Sequence, residues 1–149
     1  MNIVKKIEQY DEKYVFFCEP IKNNVMNEGK FIRILYSNYN FTINGIYLFV
    51  TFNEVFCEKY YTKYKCNFNP SNHKELIQNL KTIEENLINK YNFIDKTPQF
   101  KICEQLINGN IKLLNDIGNK QQCNLILKIS GIWETQDKYG LTFKFIKIN

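Results

Sequence analysis

The chain has few of the side chains on which most enzyme active sites depend. Its 149 residues include one histidine, one arginine and three serines, and alanine is absent. There is no GxSxG motif, no Walker A loop and no HExxH motif, so no pair of nucleophile and base is visible. Glu84 and Glu85 are neighbours on a predicted helix and therefore point apart instead of forming a facing carboxylate pair. We expect a protein that is not an enzyme.

Long apolar runs and closely spaced cysteines are also absent. No segment approaches the roughly 18 apolar residues of a membrane-spanning helix, and charges flank the apolar residues of the N-terminus, unlike those of a signal peptide. Zinc sites usually draw on closely paired ligands, but no CxxC pair occurs among the five cysteines, Cys18, Cys57, Cys66, Cys103 and Cys123. We expect reduced, buried structural cysteines and a cytoplasmic protein with no membrane segment, metal or other cofactor.

The chain does contain enough apolar and aromatic sequence for a packed domain. Its 44% hydrophobic and 15% aromatic content is too high for a disordered chain. A chain of this length buries roughly 68–70% of its unfolded surface. We therefore predict a single domain over residues 1–149. Residues 1–28 mix charged and aromatic residues and end in a polar loop, so they are a candidate N-terminal extension.

The net charge of +5 permits a polyanionic partner without requiring one. Arg33 is the only arginine, so contacts to phosphate fall mostly to lysine. A lysine is a point charge that lacks the bidentate fork of a guanidinium group. Base-specific readout by arginine is therefore not expected.

Alternating apolar and polar residues predict three strands in the first half of the chain. In "KFIRILYS", residues 30–37, Ile32 and Ile34 alternate with Arg33. In "NFTINGIYLFVTF", residues 40–52, one face carries Ile46, Leu48, Val50 and Phe52, and the other carries Tyr47, Phe49 and Thr51. The stretch "EKYYTKYKCNF", residues 58–68, then splits into two rows. The predicted core row is Tyr60, Thr62, Tyr64, Cys66 and Phe68, and the predicted solvent row is Lys59, Tyr61, Lys63 and Lys65.

An amphipathic helix of about five turns is predicted within "NPSNHKELIQNLKTIEENLINKY", residues 69–91. Asn72 and Glu75 have the spacing of a capping box at its start. Its apolar residues recur at helical spacing as Leu76, Leu80, Ile83, Leu87 and Tyr91. Further on, the pair Asn108-Gly109 lies between short apolar runs and predicts a hairpin turn.

The C-terminal stretch "CNLILKISGIWETQDKYGLTFKFIKI", residues 123–148, predicts two strands and a polar connector. Leu127 and Ile129 would face the core, and Lys128 would lie opposite. In the last strand Leu141, Phe143 and Phe145 would face the core, and Lys144 would lie opposite. Strict alternation places Trp133 on the core side, but Gly131 can mark a β-bulge that turns it outward. Both placements of Trp133 stay open at this point.

Three strands, a long helix and two to four further strands predict a mainly β protein, a β-barrel with one long helix. The OB-fold has this order, with its helix between strands 3 and 4 and a sheet face that binds oligonucleotides. Other α+β sandwiches also satisfy the order.

Three segments, "KFIRILYS", "INGIYLF" and "LKISGIWETQDKYGLTFKF", resemble the single-stranded DNA-binding proteins of large DNA viruses and cytoplasmic linear plasmids. The resemblance covers about residues 29–149, and its best segment is the terminal hairpin with Gly131, Trp133, Tyr139, Gly140 and Lys144. It implies an OB-fold and binding to single-stranded DNA. Single-strand binders of related fold often end in an acidic tail, whereas this chain ends "KFIKIN". Recruitment of partners through such a tail is therefore not expected.

A binder of single strands needs lysines for the phosphates and flat side chains on which bases stack. The candidate residues are Arg33, Tyr47, Phe49, Lys59, Tyr61, Lys63, Lys65, Lys128, Trp133 and Lys144. These residues also have non-functional explanations. The lysines could simply be solvated, and Tyr47 and Phe49 could lie beneath residues 1–28 or the helix.

The predicted function is sequence-nonspecific binding of single-stranded DNA, coating and protecting template strands during replication. Two alternatives stay open: an RNA-binding OB-fold protein and a non-enzymatic adaptor that binds a protein. The predicted partners are single-stranded DNA, with RNA, replication proteins and other copies of the chain as further candidates. Self-association on DNA would use the last strand as a free edge.

Overall fold

The computed structural model describes residues 3–22, 29–93 and 95–148. Two α-helices lie in these ranges, α1 (Lys74–Tyr91) and α2 (Lys101–Asn108). The same ranges hold eleven strands: β1 (Lys5–Lys6), β2 (Val15–Phe17), β3 (Ile21–Lys22), β4 (Lys30–Ser37), β5 (Thr42–Asn44), β6 (Ile46–Tyr60), β7 (Lys63–Asn67), β8 (Thr97–Gln99), β9 (Asn110–Leu113), β10 (Lys120–Glu134) and β11 (Lys138–Lys147). The prediction of a mainly β protein is confirmed.

The long strand β10 lies at the centre of the sheet. Its first part, from Lys120 to Ile129, pairs antiparallel with β6, and its last residues, from Gly131 to Glu134, pair with β4 on the same side. On its other side β10 pairs with β11, as the predicted terminal hairpin requires. Past Lys120, the first residue of β10, β6 continues into a hairpin with β7, and β7 pairs with β9.

The predicted barrel is not closed. Among the described residues, β9 pairs only with β7, and β11 pairs only with β10 and, over three residues, with β8. Residues of β9 and β11 nevertheless line one common groove. The edges of these two strands therefore lie on either side of an open seam, where a closed barrel would have a ladder of backbone hydrogen bonds.

One hydrophobic core lies between the inner face of the sheet and the two helices. The predicted alternation is confirmed in β6 and β10, whose inner residues are fully or almost fully buried. They are Leu48, Val50, Phe52, Leu125, Leu127 and Ile129. From α1 the buried apolar residues are Leu80, Ile83, Leu87 and Ile88, so the predicted helix and its apolar stripe are confirmed.

The start of α1 differs from the predicted capping box. The helix begins at Lys74, and no side chain caps it. The buried ring of His73 instead accepts the backbone N–H of Asn53 at Nε2 (2.9 Å) and donates from Nδ1 to the carbonyl of Asn69 (2.8 Å). Both ring nitrogens have partners within the protein. His73 therefore has a structural role, since its hydrogen bonds link β6 to the start of α1.

The predicted hairpin turn at Asn108-Gly109 is wrong. Gly109 has a φ of 76° and ends α2, with its N–H directed at the carbonyls of Gln105 and Leu106. A glycine in this conformation serves a helix end as well as a hairpin, which explains the error. Ile102, Cys103 and Leu106 are buried at helical spacing, and they are the signal that favours a helix here.

The described part of residues 1–28 is paired with the sheet. β1 runs parallel to β6, while β2 and β3 pair with β4. The Nζ of Lys90 on α1 also donates to the carbonyls of Glu12 (3.1 Å) and Val15 (3.0 Å). Residues 23–28, the predicted loop, lie outside the described residues, and the single domain over residues 1–149 stays a prediction.

Two of the five cysteines are not free thiols, in contrast to the prediction. Cys57 in β6 lies directly opposite Cys66 in β7, their Cα atoms are 4.2 Å apart, and the two are joined by a disulfide. The hairpin that connects the strands brings together two residues nine positions apart. Cys103 and Cys123 are buried free thiols, as predicted, and Cys18 is partly buried.

Glu84 is a buried carboxylate that holds α2 against α1. Its two oxygens accept the backbone N–H groups of Ile102 and Cys103, each at 2.9 Å. These groups belong to the first turn of α2, where N–H groups have no partner within the helix. Burial raises the pKa of Glu84 above its ordinary value, and the two backbone hydrogen bonds oppose that shift.

Substitutions of Glu84 separate its hydrogen bonds from its charge. Glu84→Leu leaves two buried N–H groups unpaired, at about 1–3 kcal/mol each, so we expect a lower unfolding free energy at every pH. Glu84→Gln keeps an oxygen acceptor and cannot ionise. Because the folded-state pKa is raised, the carboxyl's contribution is fully present below its unfolded pKa and is lost as pH rises through the folded value. In urea titrations the unfolding free energy of the wild type relative to Glu84→Gln should fall with rising pH, and a relative rise would contradict this assignment.

Candidate nucleic-acid interface

The tyrosine- and lysine-rich stretch of residues 58–68 is a hairpin and not a single strand. β6 ends at Tyr60, a turn follows at Tyr61 and Thr62, and β7 begins at Lys63. Tyr61 has a φ of 55° and is 82% exposed at the tip of the hairpin. Alternation holds only within one strand, so the two predicted rows do not continue across this turn.

The pairing register gives the true faces of the hairpin. Tyr60 lies opposite Lys63 on the outer face, which Lys65 shares. Lys59 lies opposite the partly buried Tyr64 on the other face. The prediction was therefore wrong for Tyr60, which is 46% exposed, and for Lys59, which does not share a face with Lys63. For the rest of the core row, Cys66 and Phe68 are buried as predicted, and Thr62 is exposed in the turn.

A β-bulge turns Trp133 to the outer face of the sheet. Ile129 pairs with Phe143, and the next pair is Gly131 with Thr142, so Ser130 is an extra residue in β10. The extra residue reverses the alternation: Ile132 is buried in the core, and Trp133 lies on the opposite face, partly exposed. The open question about Trp133 is thus answered in favour of the bulge.

Two glycines provide hollows for aromatic rings on this outer face. A Cβ atom on Gly131 would lie 2.6 Å from the ring of Phe31, and one on Gly140 would lie 3.1 Å from the indole of Trp133. The same atom on Gly140 would lie 2.9 Å from the carbonyl oxygen of Gln99. Glycine therefore lets the rings lie close to the backbone of the sheet. Arg33, opposite Gly131 in the ladder, is exposed beside these rings.

Further along the same face, aromatic and basic residues form what we call the sheet platform. Tyr47, Lys128 and Lys144 are directly opposite one another across β6, β10 and β11. The Nζ of Lys128 lies 5.5 Å from the centre of the Tyr47 ring, which is a cation–π distance. The next row consists of Phe49, Ile126 and Ile146, and Phe49 is 38% exposed. Residues 1–28 and the helix were the two segments that could have covered this face. β1, which belongs to residues 1–28, lies beside Phe49 in the sheet and does not bury it.

A groove of about 540 Å³ follows the seam between β9 and β11, and we call it the seam groove. Among the residues that the structure describes, its lining contains five lysines and no aspartate or glutamate. The lysines are Lys63, Lys101, Lys112, Lys144 and Lys147. Lys101 is 3.3 Å from Glu104, which lies outside the lining. The groove also contains Trp133 and Phe143, so it combines cationic and aromatic groups.

The structure brings some of the predicted residues together and separates others. Lys63, Trp133 and Lys144 line the seam groove, and Lys144 also belongs to the sheet platform with Tyr47, Phe49 and Lys128. Lys65 lies next to the groove, opposite Lys112. Tyr61 at the hairpin tip and Lys59 on the other face do not line the groove.

Five basic or aromatic residues of the groove were not predicted as binding residues: Lys101, Lys112, Phe143, Phe145 and Lys147. Lys101 lies on a helix that was not foreseen, and Lys112 lies on a strand expected to be part of a hairpin. Phe143 was expected to be a core residue, and it is only partly buried because the seam beside it is open. The alternation of charge in "LTFKFIKI" does not reveal the groove, because the groove follows the edge of β11 and not one of its faces.

Comparison with protein-family models, curated proteins and solved structures finds no match for this chain. The candidate interface therefore rests on the geometry of the chain itself. Among the described residues, no helix is long and apolar enough to cross a membrane. In the same part of the chain, no group of three or more His, Cys, Asp or Glu side chains is placed to hold a metal ion.

The hollow at Gly140 allows a test of how Trp133 is positioned. In Gly140→Ala the added methyl group meets the Gln99 carbonyl and the indole, so we expect a loss of about 1–3 kcal/mol of stability. We also expect a shifted fluorescence maximum, since Trp133 is the only tryptophan. Gly118→Ala is the control for the emission only: its methyl group meets nothing within 4 Å, but its φ of +66° disfavours alanine, so some loss of stability is expected there without a shift in fluorescence. Unchanged emission in folded Gly140→Ala would refute the packing of the indole on Gly140.

Proposed function

We propose that the chain binds single-stranded DNA without sequence preference, in the seam groove and across the adjoining sheet platform. The observation that carries this proposal is the lining of the groove: five lysines, no carboxylate, and aromatic rings among them. A basic groove along the phosphates combined with stacking surfaces for bases is the usual basis of nonspecific single-strand binding.

The lysines supply the attraction for phosphate. Each phosphate neutralised releases condensed counterions, so affinity falls with salt, with a log-log slope of roughly −0.7 per contact for a single strand. Lysine does not read base edges bidentately as arginine does, which agrees with binding that ignores sequence. Lys144 joins the seam groove to the Tyr47–Lys128 row, so a strand longer than the groove has a basic path across the sheet.

The aromatic groups are not equivalent as stacking surfaces. Trp133 lies against Gly140 and is partly exposed toward the groove. Tyr47 already has Lys128 over its ring, so one of its faces is occupied by an ammonium group. We therefore assign the main base contact to Trp133 and a supporting role to Tyr47 and Phe49.

We further propose that the fold is a variant of the OB-fold that is open along the seam. The order of the long elements supports this: β4, β6 and β7 precede α1, and β9, β10 and β11 follow it. The pairing departs from a closed barrel, since β4 and β6 lie end to end along β10. Protection of template strands during replication in the cytoplasm is the cellular role that we propose for such a protein, and in that reducing compartment the hairpin must keep its pairing with Cys57 and Cys66 as thiols.

RNA offers the same phosphates and stacking bases as DNA, and nothing in the groove selects for or against a 2′-hydroxyl group. Oligodeoxythymidine and oligouridine of equal length should therefore be compared in competition. We expect deoxythymidine to bind at least as tightly. A clear preference for uridine would move the proposal from DNA to RNA.

Removal of three groove lysines tests the electrostatic part of the proposal. In Lys63→Gln/Lys112→Gln/Lys144→Gln we expect affinity for oligodeoxythymidine to fall about tenfold or more, equally for other sequences, and the salt slope to shrink by about 2. The matched control is Lys74→Gln/Lys120→Gln/Lys138→Gln, which removes the same charge from exposed sites outside the groove. Equal loss in both variants would mean that net charge, and not the groove, binds the strand.

Trp133 provides both a signal and a test of stacking. Binding of oligodeoxythymidine should quench its fluorescence, and Trp133→Ala should weaken binding by about 1–3 kcal/mol. Trp133→Phe should retain most of the affinity, because it keeps a ring in the hollow over Gly140. Tyr39→Ala removes an aromatic ring that is 99% exposed and outside the groove, so it should bind normally. Saturating oligonucleotide at low salt that leaves emission unchanged would eliminate the stacking role.

A further inference from the structure

The tip of the β6–β7 hairpin contains residues that do not line the seam groove. Tyr61 is 82% exposed there and packs edge to face on Tyr60, with ring centres 4.7 Å apart. Its φ of 55° is uncommon for a residue with a large side chain, and such conformations often occur at contact sites. Lys59 and Lys63 on either side are exposed, and Lys59 has no ion-pair partner among the described residues. The tip is therefore an exposed aromatic ring beside positive charge.

A second cavity, of about 400 Å³, lies between β1, β6 and the start of α1, and we call it the edge pocket. Ile7 and Leu76 line it and also pack against the core, and Phe49 lines it with a ring that is 38% exposed. The polar residues of the lining are Lys6, Glu8, Thr51, Glu75 and Asn79. Neither this lysine nor either glutamate forms an ion pair within the described part of the chain. The edge pocket thus combines apolar and aromatic surface with a net negative charge.

The hairpin tip and the edge pocket are complementary in size and in charge. The volume of the pocket exceeds the roughly 300 Å³ at which pockets for small ligands begin. With Tyr61 in the pocket, Lys59 would lie near the exposed carboxylates of Glu8 and Glu75, which have the opposite sign. Tyr39 is even more exposed, at 99%, but it lies between two asparagines and brings no charge. Charge therefore favours the hairpin tip as the occupant.

The last strand does not offer a free edge for self-association, contrary to the prediction. Cα atoms of β9 and β11 lie within 8 Å of each other at several positions along the seam. A strand inserted between two others needs about 10 Å between them, since neighbouring strands are about 4.8 Å apart. Contact between copies must therefore use other surfaces.

We propose that the hairpin tip of one copy of the chain inserts Tyr61 into the edge pocket of the next copy, with Lys59 beside Glu8 and Glu75. Among the described residues, none from the tip lines the chain's own edge pocket, so the pocket stays available to a neighbour. The two surfaces differ, so the contact is heterologous. Contacts of this kind repeat into an open chain of copies or close into a ring.

The small size of the tip determines when the contact matters. A contact far smaller than a standard interface is weak between free molecules. Copies bound to one nucleic-acid strand are held close together, which raises their effective concentration. The contact would then make the binding of long strands cooperative. The head-to-tail contact stands on the tip and the pocket, whereas cooperative binding rests on the proposed function.

The first test uses sedimentation velocity at low salt without nucleic acid. For the wild type we expect the mean sedimentation coefficient to rise with protein concentration up to about 0.5 mM, as suits a weak contact. Tyr61→Asn removes the ring, and asparagine accepts the positive φ, so the turn is kept while the association constant falls at least about fivefold. Tyr39→Ala removes another exposed tyrosine and should associate like the wild type. A wild type that stays monomeric, or a Tyr61→Asn variant that associates equally, would overturn the contact.

A charge exchange locates the two surfaces. Lys59→Glu and Glu75→Lys each place like charges at the contact, and each should lower the association constant at least about fivefold. An equimolar mixture should recover to within about threefold of the wild type, because the tip of each variant meets the unlike charge in the pocket of the other. Lys138→Glu and Glu19→Lys make the same charge changes at exposed sites outside the tip and the pocket, and mixing them should bring no recovery. A mixture of the first pair without recovery would refute the assigned surfaces.

Oligodeoxythymidines of increasing length separate this inference from the proposed function. On an oligonucleotide that holds one copy, Tyr61→Asn should bind like the wild type, and on long ones it should lose the cooperativity that the wild type shows. If copies associate but no oligonucleotide binds, the proposed function fails and the contact stands. If oligonucleotides bind and copies associate in neither assay, only the contact fails. Weaker binding of the short oligonucleotide by Tyr61→Asn would show that Tyr61 contacts nucleic acid and would overturn its assignment to the pocket.

Discussion

The pairing of β10 with strands on both of its sides is the constraint on which the rest of the structure depends. β6 and β4 share one side of β10, and β11 occupies the other. From Leu125 to Glu134, each inner residue of β10 is thereby buried in the core, and each outer residue except the extra Ser130 lies in a row with residues of two other strands. The sheet platform exists because this ladder aligns Tyr47, Lys128 and Lys144. The single extra residue at Ser130 then shifts the alternation, so that the same strand places Ile132 in the core and Trp133 outside.

The open seam follows from the same arrangement. β11 is attached to the sheet through β10, while β9 is attached through β7 and the far end of β6. The two strands therefore approach each other from different parts of the sheet without forming a ladder. Buried Glu84 ties α2, and with it the start of β9, to α1. Its pKa is raised by burial, so this attachment depends on a carboxyl group whose ionisation is disfavoured.

The amino-acid sequence was sufficient for features that depend on local periodicity. Alternation predicted the buried sides of β6 and β10, and helical spacing predicted α1, because each pattern reflects contact with one core. The hairpin at Tyr61 was missed because its turn lacks the glycine or asparagine that usually marks one. α2 was missed because Gly109 has the same conformation in a helix end and in a hairpin.

The candidate site was less predictable than the fold class. Lys63, Trp133 and Lys144 were chosen for their chemistry, and the structure places them in one groove. Lys101, Lys112 and Lys147 come from a helix and from two strand edges that are distant in sequence. Their proximity is a consequence of the open seam, and no short-range pattern in the chain encodes it. Lys59 was chosen by an alternation that ends at the turn.

The disulfide between Cys57 and Cys66 compensates for the unfavourable turn of the hairpin that carries Lys63. Tyr61 adopts a positive φ that a tyrosine rarely accepts, so the turn itself specifies the pairing of β6 and β7 only weakly. Because β10 holds β6, a slip of β7 by one residue would move Lys63 and Lys65 to the other face. The covalent bond between directly opposite residues forbids that slip. The direction in which this wall presents its lysines is therefore determined by a sulfur–sulfur bond, and in a reducing environment it would depend on backbone hydrogen bonds alone.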